Sequence, residues 1–205
     1  MLYPLSYGGP GPRTGRIETL AKSPPTSLIG MTGRARSAGL RAALAVSLAV
    51  VGGCVQQAGP APATVRTTPP PWPAPRDGIS YFELAGVPAS RLDDRTGQRV
   101  ITVSVRIDGA DVALVPNIGL DLPRALQAPA HTHDASGTVW LEGAGADRVT
   151  LGQFFTLWGV RFDGRCLGAA CGQLTVTADG RAVDAPAALV LSSATDVQIR
   201  LASGG

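Results

Sequence analysis

The chain has 205 residues, a net charge of +3 and 16% charged residues. The positive balance lies in residues 1–53, where Arg13, Arg16, Lys22, Arg34, Arg36 and Arg41 oppose only Glu18, so residues 54–205 carry −2. That part has no basic cluster, which argues against a nucleic-acid partner.

Residues 1–30 are rich in Pro and Gly and lack an apolar segment, so they read as a non-native extension ahead of a start at Met31. Residues 31–53 have the layout of a secretory signal: Arg34, Arg36 and Arg41 precede the apolar run Ala42–Val51, and small residues follow. The run is ten residues long, against about 20 for a spanning helix. Val51-Gly52-Gly53-Cys54 resembles the lipobox of bacterial lipoproteins. The resemblance implies a diacylglycerol on the Cys54 thiol, cleavage before it, and a domain anchored at the extracytoplasmic face of the cell membrane. The near-absence of lysine (Lys22 alone) fits a GC-rich bacterial genome.

Residues 54–78 are dominated by Pro, Ala, Thr and Gln, with Trp72 as the single large apolar group. This composition predicts a disordered, extended tether. Residues 79–205 are long enough for one globular domain with its own core. Alternation of Val103, Val105 and Ile107 with polar neighbours, followed by Asp108-Gly109 and Val112–Val115, predicts a hairpin. Leu174, Val176 and Ala178, then Asp179-Gly180 and Arg181–Val183, predict a second. Thr150 and Gln153 form a capping box ahead of Leu151, Phe154, Phe155 and Trp158, a helical apolar stripe that Gly159 ends. Leu189–Leu191 reads as a short apolar strand or turn, and Val197–Leu201 as a last strand. Hairpin, helix, hairpin and strand make an α+β domain, a small mixed sheet with one packed helix, β-grasp-like in layout.

Cys166 and Cys171 form an even pair in a Gly/Ala-rich loop, and in an exported chain such a pair reads as a disulfide. A redox pair or a copper(I) site is the sharper alternative. Both histidines lie in His131-Thr132-His133-Asp134, ahead of the turn-forming Asp134–Gly137. On a hairpin His131 and His133 share a face, with Trp140 opposite His131 and Glu142 two residues further along. H-x-H on a strand offers two imidazoles to one metal, copper or zinc, which Asp134, Glu142 or Asp121 would have to complete. The plainer reading is two imidazoles that hydrogen-bond or stack on Trp140. Ser136 is near His133, but serine in a tight turn usually bonds its own backbone, so no nucleophile–base pair stands out.

The segments HTHDASGTVWLE and TLGQFFTLWG, with Cys166 and the closing hairpin and strand, resemble an uncharacterised family of exported bacterial proteins. The similarity spans about Arg99 to Leu201. Relatives carry His where this chain has Trp140, and an H-x-H where it has Val103-Ser104-Val105, so the resemblance implies that any metal function is weaker here. The expectation is a non-enzymatic lipoprotein domain that binds an envelope protein or a small ligand. An envelope metal-binding protein is the alternative, and a redox or hydrolytic enzyme the third.

Overall fold

A computed structural model describes residues 62–204. The expected extension 1–30, signal peptide 31–53 and lipidation site Cys54 lie outside the described residues. In chain order the elements are helix α1 (Gly78–Ala85), strands β1 (Ser90–Arg91), β2 (Arg99–Ile107), β3 (Ala110–Val112), β4 (Leu120–Asp121), β5 (Leu126–Gln127), β6 (Ala130–His131) and β7 (Thr138–Leu141). Helix α2 (Leu151–Trp158) follows, then β8 (Cys166–Leu167), β9 (Ala170–Ala178), β10 (Arg181–Ala182) and β11 (Asp196–Ser203). The fold is mixed α+β, as the order of sequence patterns requires.

Both predicted hairpins form on the same local device. Asp108 and Gly109 have φ of 49° and 80°, and Asp179 and Gly180 have 48° and 77°. Positive φ at both central residues matches the twist of the flanking strands. The main sheet runs β10-β9-β11-β2-β7-β6, with β3 on β2 and β8 on β9. Its centre is the parallel pair β2–β11, in register from Asp196 opposite Thr102 to Leu201 opposite Ile107. Ile101, Val103 and Val105 of β2 and Val197, Ile199 and Leu201 of β11 turn to one face and are buried. Thr102, Ser104, Arg106 and Arg200 turn to the other and are exposed. A smaller sheet, β1-β5-β4, stands apart.

Helix α2 forms as its capping box predicts. Thr150 accepts from the Gln153 amide, the Gln153 side chain accepts from the Thr150 N–H at 2.9 Å, and Gly159 closes the helix at φ 69°. Leu151, Phe154, Phe155, Leu157 and Trp158 are all buried in the core shared with the main sheet. At Leu189–Leu191, read as a short strand or turn, two short 3-10 turns, Pro186–Ala188 and Leu191–Ser193, flank Leu189 and Val190. Val190 forms an isolated antiparallel bridge to Thr150.

The tether expected over residues 54–78 needs correction from residue 62 onward. Arg66 bridges Val160 in parallel, its N–H donating to the Gly159 carbonyl at 2.8 Å and its carbonyl accepting from Arg161 at 3.0 Å. Trp72 is 1% exposed and meets Trp158 edge-on, with centroids 5.5 Å apart. The Trp158 indole donates to the Trp72 carbonyl at 3.0 Å, and the Trp72 indole donates to the Thr68 carbonyl at 2.9 Å. A single tryptophan thus supplies the burial that composition denies the rest of the segment. Helix α1 begins at Gly78, within the span expected to be tether, and one of its free first-turn N–H groups is met from far along the chain. Ile79 donates to the Asp121 carboxylate at 3.0 Å, and Asp121 also accepts from the Arg124 amide and guanidinium.

Cys166 and Cys171 are ladder partners across the β8–β9 hairpin and are joined by a disulfide, with Cα atoms 4.1 Å apart. The turn of that hairpin lies against the N-terminal segment. Ala169 donates to the Thr68 carbonyl at 3.1 Å, and a Cβ at Gly168 would collide with the Trp72 ring. Trp72→Ala is expected to cost about 3–5 kcal/mol of unfolding free energy. Urea denaturation of the full chain checks this, because a true tether residue would shift the curve negligibly.

Candidate functional site

The histidine segment sits where the main sheet ends. Strand β6 pairs antiparallel with β7, Ala130 opposite Leu141 and His131 opposite Trp140. Ala130 and Leu141 turn into the core, so His131, Trp140 and Glu142 turn to the opposite face. That face is exposed along the neighbouring part of β2, where Val100 pairs with Trp140 and is 44% exposed. At His131 it is covered. Gly119, at φ 71°, brings the chain onto Ala130 and His131 so closely that a Cβ there would collide with the Ala130 carbonyl. Thr132 fixes the cover, its hydroxyl donating to the Val115 carbonyl at 2.7 Å and accepting from the Ile118 N–H at 3.1 Å.

His131 is therefore 0% exposed and Glu142 4%. The Nδ1 of His131 lies 3.1 Å from the Ala128 carbonyl, which can only accept, so Nδ1 carries the proton. Nε2 is then a bare lone pair. It faces the Glu142 Oε2 at 3.6 Å, beyond hydrogen-bond reach, and neither Nε2 nor the Glu142 Oε1 has a hydrogen-bond partner. Burial pulls the imidazole from its ordinary 6.5 down to about 4; the Ala128 hydrogen bond opposes this and the nearby His133 adds to it. A carboxylate at 3.6 Å would favour the imidazolium. Without a hydrogen bond between them, that attraction does not offset the desolvation of the buried ring.

His133 lies at the surface, its ring edge-on to His131 with centroids 5.0 Å apart and edge-on to Trp140 at 5.3 Å. The shared face expected for the two imidazoles and Trp140 is present, but one imidazole is enclosed and the other open. Asp134 is exposed and turned into its own loop, accepting from the Ser136 N–H at 2.9 Å; the Ser136 hydroxyl first, and this N–H second, hold its carboxyl below the usual range. Ser136 donates its hydroxyl to Thr138 Oγ1 at 2.8 Å and makes no bond to His133. Asp121 belongs to the capping of α1. The quartet His131, His133, Asp134 and Glu142 is thus only partly assembled, and among the described residues no three His, Cys, Asp or Glu side chains form a ready metal cluster. The Ala128 carbonyl, Thr132 and Gly119 were not legible as parts of the site. Only Gly119, beside Asn117 in a turn-like stretch, carried a local sign.

No family model, curated protein or solved structure matches the chain.

The unfolded chain protonates His131 near pH 6.5, whereas the folded protein resists protonation until about pH 4. The unfolded state thus binds more protons in that window, so stability is full above about pH 6.5 and falls as the pH drops. The expected loss by pH 4 is up to about 3 kcal/mol. Denaturant unfolding with chelator present, at several pH values between 7 and 4, checks this. A His131 contribution that is flat or rises toward acid would contradict the neutral buried imidazole.

Proposed function

We propose that this chain is a membrane-anchored bacterial lipoprotein, held by lipid at Cys54, whose extracytoplasmic domain binds a partner in the cell envelope and carries out no covalent chemistry. The observation that carries the reading is the Cys166–Cys171 disulfide. Disulfides persist in oxidising compartments outside the cytoplasm, which is where a lipobox would deliver the domain. The resemblance to exported bacterial proteins points to the same address.

The docking of Arg66 sets a reach. Eleven residues lie between it and Cys54, and even fully extended that stretch spans at most about 40 Å. The domain would therefore ride close to the bilayer rather than on a long spacer. The partner would bind at the face bearing Trp140, Val100 and His133, where aromatic and apolar groups meet solvent. Aromatic anchors of this kind carry most of the energy at protein interfaces. A partner could be an envelope protein or a small ligand.

Expression of the full chain in a bacterial host with an alkyne-tagged fatty acid tests the address. The expected outcome is label on the wild type, membrane fractionation, and digestion by protease added outside the cytoplasmic membrane. Cys54→Ser should lose the label and delay cleavage of the leader. An unlabelled, protease-protected protein in the cytosol would overturn the proposal.

A further inference from the structure

We infer that His131 and Glu142 are the preformed half of a divalent transition-metal site, for Zn²⁺ or Cu²⁺, that His133 completes from the surface. The inference is independent of the address proposed for the chain.

Three observations carry it. First, the buried His131 Nε2 and Glu142 Oε1 lack hydrogen-bond partners, although both belong to side chains that are more than nine-tenths buried. Such atoms cost free energy unless each meets a partner. Nε2 and the Glu142 Oε2 opposite it are both acceptors, and a positive species between them would satisfy both. Second, the 3.6 Å between Nε2 and Oε2 suits two ligands of one ion. Donors at about 2.1 Å from a common zinc and 3.6 Å from each other subtend roughly 118°, near the tetrahedral angle. Third, the tautomer is the one a metal needs. Nδ1 donates to the Ala128 carbonyl at 3.1 Å, the second contact by which ligating histidines are aimed and kept neutral.

His133 supplies the remaining protein ligand. Its ring centroid is 5.0 Å from that of His131, on the same side of the sheet, and it is exposed. A change of rotamer at a surface side chain is cheap and fast. Asp134 is left out, because its carboxylate is committed to the Ser136 turn. Imidazole nitrogen with a carboxylate oxygen selects copper and zinc over magnesium. Three protein ligands leave a fourth position for water or for a donor from a bound partner.

The chain contains only these two histidines, so a histidine signature reports on this site alone. The test is calorimetric titration of the detergent-solubilised full chain, stripped with chelator, using Zn²⁺, Cu²⁺ and Mg²⁺. Wild type is compared with Glu142→Gln and His133→Ala, and circular dichroism verifies the fold of each. The expected result is one Zn²⁺ or Cu²⁺ per chain, no Mg²⁺, and binding weakened roughly tenfold or more in each variant. Electron paramagnetic resonance of the Cu²⁺ form should show two nitrogen ligands in wild type and one in His133→Ala. Absence of Zn²⁺ and Cu²⁺ binding, or binding unchanged by both substitutions, would overturn the inference.

Discussion

The Trp158 indole donates to the Trp72 carbonyl at 3.0 Å, and the two rings meet edge-on. Much of the domain is joined through this contact. Trp158 is the last residue of α2 and stacks on Phe155, which in turn stacks on Phe162 beyond the helix. Trp72 holds residues 66–76 against that helix and against the disulfide-closed turn at Gly168. Three pieces, a proline-rich segment, an eight-residue helix and a short hairpin, thus become one packed unit. The stabilisation is non-local, since each piece alone buries too little surface to offset its ordering entropy.

The opposite end of the sheet is organised by a different requirement. The outer face of β6–β7 cannot be left open at His131, because the segment between Val115 and Thr132 folds back over it. Thr132 and Gly119 draw that segment close, and Asp121 within it caps α1. The result is a buried polar pair, in which the His131 imidazole and the Glu142 side chain face each other beyond hydrogen-bond reach. A protein optimised for stability alone would replace such a pair with apolar groups. Its presence beside an exposed His133 and a half-buried Trp140 fits a site made to be filled.

How much of this was legible in the sequence follows the range of the forces involved. The turns at Asp108-Gly109 and Asp179-Gly180 are local matters of positive φ, and both stand where the residues place them. The capping box of α2 is equally local and equally clear. The pairing of His131 with Trp140 followed from the turn between them. Residues 62–78 were misread because composition averages over a segment, whereas one tryptophan with a cavity waiting for it is enough to dock it. Helix α1 starts on a glycine with no side-chain cap of its own, and its N-terminal partner is Asp121, 42 residues away. The burial of His131 was hidden for the same reason. Alternation assigns a side chain to a face, but only the fold decides whether that face is covered.

The protonation of the His131 ring is the point on which the account turns. Nitrogen-15 NMR of the two imidazoles, first in the chelated protein at neutral pH and then with one equivalent of Zn²⁺, reads it directly. The account predicts a neutral His131 ring protonated at Nδ1, with an unprotonated Nε2 whose resonance moves when zinc is added. A ring protonated at Nε2, or an imidazolium paired with Glu142 that ignores zinc, would contradict it.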